Sequence, residues 1–160
     1  MLTYRKAITH FWQSDKPNCG PIALQCLFDA PIEALEKIVK CKNGTSTENL
    51  YLGMKENGIE CNHVILGGDH NSHLWWINQL SYRFPIYISC HFLVQGLRGR
   101  PSNDYHAILF ANGLCYDGHN HREEPIAGIV QKFNKKFVIR DIVIFDHELP
   151  NWKNNLINNL

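Results

Sequence analysis

The chain has no excess of charge of either sign: 16 Lys and Arg stand against 15 Asp and Glu in 160 residues. So even a balance creates no strong field toward phosphate backbones or anionic lipid, and neither nucleic acid nor a membrane is an expected partner. It also lacks any uninterrupted apolar run long enough to cross a bilayer. Its first residues, MLTYRKAITHFWQSD, have no apolar core of the kind a secretory signal needs. A soluble chain that is not exported is expected, in the cytoplasm or delivered to a host cytosol. No CxxC pair, internal repeat or linker-like segment occurs. The six cysteines (Cys19, Cys26, Cys41, Cys61, Cys90 and Cys115) are scattered, and a chain this long does not need staples, so they are expected as reduced thiols.

What the sequence does have is an ordinary globular make-up, 44% apolar and 19% charged, enough for one substantial core. Apolar Ile22, Ala23, Cys26 and Leu27 recur at helical steps behind Cys19, with Pro21 in the first turn, where a missing N–H costs nothing. A second helix is predicted from about Ile32 to Val39. A third, TSTENLYLGMKENG, has Thr45 and Glu48 in the spacing of a capping box and stops at Gly58. IECNHVIL reads as a strand and HLWWINQLSY as a helix. From Pro85 the texture turns β-branched and aromatic, in PIYISCHFLV, YHAILFA, LCYDG and FVIRDIVIF. Helices first and strands later predict an α+β fold with a mainly antiparallel sheet. Residues 1–150 form one domain in this reading, and the Asn-rich tail, residues 151–160, frays or packs loosely.

Three features bear on chemistry. Cys19 directly precedes Gly-Pro at the start of a helix, where unpaired N–H groups and the dipole favour thiolate over thiol; the alternative is a small residue that merely begins a helix. Gly20 would let a substrate approach closely. Gln13, six positions upstream, carries an amide that could join the Cys19 N–H as donor to an oxyanion, although a solvated loop residue is the plainer reading. The third feature is the segment DYHAILFANGLCYDGH. Asn112-Gly113 between apolar strands signals a two-residue type I′ turn. That register sets Ala111 opposite Leu114, Phe110 opposite Cys115, Ile108 opposite Asp117 and His106 opposite His119. His106 and Asp117 then share a face beneath the cysteine helix as diagonal neighbours, roughly 7 to 8 Å apart at the backbone. From there a carboxylate can hold an imidazole in one tautomer.

Glutamine, then Cys19-Gly20-Pro21 opening a helix, then a strand beginning with His106 and an aspartate soon after, resembles the papain-like cysteine peptidase superfamily. Within it, the chain is most similar to the bacterial double-glycine leader peptidases, whose cysteine is typically followed by Gly-Pro. The likeness spans roughly residues 10 to 120 and extends loosely to ENGIECNHV and PIYISCHF. It implies a papain-like fold with Cys19 as nucleophile, His106 as general base and then acid, Asp117 as its orienting partner and Gln13 as oxyanion donor. The step from His106 to Asp117 is tighter than in many relatives, which keeps Asn120 as a rival for the third position. The export-linked role of the leader peptidases does not carry over.

This resemblance implies a thiol-dependent hydrolase cleaving an amide bond, peptide or isopeptide, of a protein or peptide substrate through a thioester, with no cofactor. A glutamine deamidase, an acyl transferase and a non-catalytic binding module of the same fold stay open, as does the oligomeric state. A metal site is the alternative from another class, since HNSH (70–73), HNH (119–121) and CNH (61–63) hold possible ligands, but none has the spacing of a zinc motif. Trp75-Trp76 is core or cleft lining, and LRGRPS (97–102) is a solvated basic loop or a guide for acidic substrates.

Overall fold

The computed structural model describes all residues except 13–17, 41–44, 68–69, 93–104, 134–136 and 160. In chain order the elements are α1 (Cys19–Leu27), α2 (Ile32–Ile38), α3 (Thr47–Glu56), β1 (Cys61–Ile65), α4 (His70–Ser81), β2 (Ile86–Phe92), β3 (Tyr105–Ala111), β4 (Leu114–Tyr116), β5 (Glu124–Pro125), α5 (Ile126–Phe133), β6 (Phe137–Phe145) and α6 (Trp152–Asn158). The α+β expectation is met. Every pairing is antiparallel in a single sheet ordered β1-β6-β2-β3-β4-β5.

Both faces of this sheet are covered, which explains why its central strands read as nearly continuous apolar runs. Alternation along β3 sends Ala107, Leu109 and Ala111 into one core with Leu24, Leu35 and Leu50 of the helical half and Tyr87 of β2. Ile108 and Phe110 go to the other, with Leu74 and Ile77 of α4 and Ile126 and Ile129 of α5. Helix α1 is buried nearly all round, so its apolar surface fixes where its head lies. Asn18, at that head, donates from its side-chain amide to the Glu36 carboxylate of α2.

One local expectation needs correction. The cap of α3 is Ser46, whose hydroxyl accepts from the Asn49 N–H, rather than Thr45. Thr45 is withdrawn because its Oγ1 is buried against the head of α1. Within the tail, residues 152–158 are helical, and no residue of α6 is buried. The guanidinium of Arg83 lies 4.7 Å over the Trp152 ring and 4.9 Å over Phe84, and its Nε donates to Glu148 at 2.7 Å.

Because α1 is anchored by burial, truncating it should loosen the site it carries. Leu24 is fully buried, and Leu24→Ala is predicted to cost about 2–5 kcal/mol in urea unfolding. A loss below about 1 kcal/mol would show that α1 is not held as described.

Candidate active site

The hairpin forms as its turn predicts. Asn112 and Gly113 both take positive φ, 54° and 72°, and set Ala111 opposite Leu114 and Phe110 opposite Cys115. The turn is tied to the end of α4, where the Asn112 N–H donates to the Ser81 carbonyl at 2.7 Å and the Gly113 N–H to the Ser81 hydroxyl at 3.1 Å. Pairing ends at Leu109 with Tyr116, so the expected Ile108–Asp117 and His106–His119 pairs do not form. The chain turns at Asp117 instead, and the Asn120 N–H donates back to the Asp117 carbonyl at 3.0 Å.

Asp117 nevertheless meets His106. Its Oδ1 lies 2.7 Å from His106 Nε2 and also accepts the His119 N–H at 2.9 Å. The same imidazole acts on the Cys19 thiol, whose ionisation its hydrogen bonding and charge favour. With Nε2 given to the carboxylate, the bond to sulfur falls to Nδ1, since each ring nitrogen carries one proton. His106 is in phase with Ile108 and Phe110 on β3, whereas α1 packs over Ala107 and Leu109. The contact is therefore made at the end of the strand and not from beneath the helix, with the N–H groups of Ala107 and Gly20 also directed at the sulfur.

Electrostatics of the three groups follow from burial set against pairing. Burial pushes the Cys19 thiol up, but the hydrogen bond and charge of His106, with the two N–H groups, outweigh it and hold the thiol below its ordinary value. Burial alone would lower His106, and bonds to Asp117 and Cys19 instead raise it to about 9. Burial raises Asp117, yet His106 and the His119 N–H bring its carboxyl below the usual range. Each of the three groups thus shifts in the direction that favours its charged form, against the effect of burial. The other described cysteines move the opposite way: burial pushes Cys26 and Cys61 up to about 11, and Cys90 and Cys115 well above the ordinary thiol. All five are free thiols.

Gln13 lies outside the described residues, as do Cys41 and the LRGRPS stretch. The group brought to the imidazole is Asp117; Asn120 instead offers its carbonyl to His10 Nε2 at 2.6 Å. The purpose of Gly20 also differs from expectation. A Cβ there would lie 2.7 Å from Thr45 Cβ and 3.1 Å from the Tyr87 hydroxyl, so the space beside Gly20 is filled by the protein and not left for substrate. His119, expected opposite His106 as a strand pair, meets it otherwise: its ring packs edge-on against the His106 ring with centroids 4.5 Å apart.

Among the described residues, no group of three or more His, Cys, Asp or Glu gathers as a metal site would need. His63 meets Asp141 at 2.7 Å, and Asp141 also accepts from the Thr47 hydroxyl. His73 Nδ1 accepts from the Trp76 indole at 3.1 Å. The tryptophan pair divides: Trp76 packs against the second core, and Trp75 is exposed. Among the described residues no helix is long and apolar enough to cross a membrane.

No protein-family model matches the chain, and no curated protein is significantly similar to it. Among solved structures, it is similar to the peptidase domain of Streptococcus ComA, a bifunctional ABC transporter involved in a quorum-sensing pathway. The identity is 16%, the TM-score 0.47, and the match covers 86% of this chain and 97% of that one. This neighbour is of the kind that the sequence resemblance named. The likeness assigns no residue of this chain a role.

Two outcomes are expected. Iodoacetamide should modify Cys19 far faster than Cys26, Cys61, Cys90 and Cys115 at about pH 6, where ordinary thiols are protonated; equal labelling by peptide mapping would count against the ion pair. Gly20→Ala should destabilise the fold by about 1–3 kcal/mol through overpacking, despite alanine's better helix propensity. Combined with Thr45→Gly, the two losses should be less than additive, and strict additivity would show that the two residues do not compete for space.

Proposed function

We propose that the chain is a thiol-dependent hydrolase that cleaves an amide bond of a protein or peptide, with Cys19 as nucleophile, His106 as general base and acid, and Asp117 as its orienting partner. One observation carries this reading: the imidazole that meets Asp117 Oδ1 at 2.7 Å is the same one that favours ionisation of the Cys19 thiol. Support comes from the opposite behaviour of the remaining described thiols, since a structural cysteine has no reason to be held below its ordinary value.

The reaction follows from those positions. The thiolate adds to the substrate carbonyl carbon, and negative charge develops on its oxygen. The Cys19 N–H, in the first turn of α1 where backbone N–H groups have no partner within the helix, and the amide of Gln13 are the proposed donors to that oxygen. As the C–N bond breaks, the imidazolium gives its proton to the leaving amine, and an acyl thioester remains on Cys19. His106, now neutral, takes a proton from water, whose oxygen adds to the thioester. Collapse releases the carboxylic acid and returns the proton and the thiolate to the starting pair. Asp117 keeps Nε2 protonated throughout and stays ionised. Every step is carried by side chains and water, and the proposed site of action is a cytosol.

Intact-mass analysis of candidate peptides should show cleavage by the wild type and none by Cys19→Ala. Asp117→Asn should lower kcat/KM by roughly a hundredfold or more. Because His106 is raised to about 9, the rate should hold through neutral pH and fall as the ring loses its proton above that value. A rate that climbs through this range, or survives Cys19→Ala, would sink the assignment.

A further inference from the structure

Residues 4–12, ahead of α1, form a strap with two anchorages. Its first part lies along the far end of the nucleophile helix: Tyr4 bridges to Phe28, the Arg5 N–H donates to the Leu27 carbonyl at 2.9 Å, Arg5 Nε to the Gln25 carbonyl at 2.7 Å and the Thr9 N–H to the Cys26 carbonyl at 3.1 Å. The Arg5 guanidinium also lies 4.8 Å over the Phe11 ring. Beyond Thr9 the strap crosses to the turn that begins at Asp117. There His10 Nε2–H donates to the Asn120 carbonyl at 2.6 Å, and Trp12 stacks on His121 at 4.5 Å.

That turn is what aims the carboxylate. The His119 N–H holds Asp117 Oδ1, and the Asn120 N–H holds the Asp117 carbonyl. Fixing the Asn120 peptide from outside therefore fixes the geometry of Asp117. His10 does so while leaving its Nδ1 buried with no hydrogen-bond partner among the described residues. An apolar side chain would fill the same space without that penalty, and the bond to the turn is what such a side chain could not supply.

We propose that His10, assisted by Trp12, is a positioning residue for the Cys19–His106–Asp117 site, bracing the far end of the nucleophile helix against the turn that orients Asp117. This rests on the reading of the site as a thiolate–imidazolium pair. A brace of this kind sets the separation of sulfur and imidazole, and so the fraction of thiolate, without touching substrate.

The test is the pH dependence of Cys19 alkylation by iodoacetamide in the full chain, followed by peptide mapping. His10→Leu should lower the rate at neutral pH by about tenfold and move the profile toward that of an ordinary thiol. His10→Gln, which keeps a donor for the Asn120 carbonyl, should stay within about threefold of the wild type. If His10→Leu lowers the melting temperature but leaves the profile in place, the residue is merely structural and the proposal is overturned. Should His10→Leu fail to fold, Trp12→Ala removes only an exposed ring and must shift the profile in the same direction; an unmoved profile overturns the brace. His106→Ala separates the two levels. If it leaves the profile unchanged, the ion-pair reading itself fails, whereas an effective His106→Ala beside a silent His10→Leu removes the brace alone.

Discussion

Two residues with positive φ, Asn112 and Gly113, decide which side chains meet at the candidate site. A two-residue turn permits one register, and a slip of one position would send His106 and Asp117 to opposite sides of the sheet. Ser81 secures that turn from the end of α4 with its carbonyl and its hydroxyl. Helix α4 supplies none of the three site groups, yet it secures the turn that sets their register. On the other side, burial of α1 sets the height of Cys19 over the end of β3. The site lies where these two independently anchored pieces converge.

Proximity of a histidine to a carboxylate does not by itself distinguish such a place. The chain has a second pair, His63 with Asp141, at the same 2.7 Å separation. There the remaining carboxylate oxygen accepts from the Thr47 hydroxyl, so the pair ties the first turn of α3 to β1 and β6. At Asp117 the imidazole goes on to a thiol, and the Cys90 sulfur donates to the His106 carbonyl at 3.4 Å behind it. Desolvation acts on Cys19, His106 and Asp117 alike, and in each the neighbouring group offsets it and favours the charged form. The surrounding thiols have no such neighbour and stay protonated.

Much of this was legible because it is local. Helical spacing behind Cys19 needs only nine residues, and Asn-Gly between apolar runs specifies its own turn. The last long strand, FVIRDIVIF, was read with its observed bounds of 137 and 145. Helix α5 escaped notice because IAGIVQKF is rich in β-branched residues, although Ile126, Ile129, Val130 and Phe133 do recur at helical steps. Thr45 failed as a cap for a tertiary reason: its hydroxyl is taken up beside Gly20, a residue 25 positions earlier. The strap could not be foreseen either, since nothing local to His10 or Trp12 indicates a partner more than 100 residues away.

At the other terminus, all the described attachments of the last helix pass through one side chain or its immediate surroundings. Arg83 offers its face to Trp152, its Nε to Glu148 and its carbonyl to the Leu149 N–H, while α6 contributes nothing to either core. Chain beyond Leu149 can therefore lift away and settle again as a unit while the interior stays closed, so this end breathes on its own clock. The molecule has two kinds of periphery: an N-terminal segment whose release would be felt at the sulfur, and a C-terminal one whose release would pass unnoticed there.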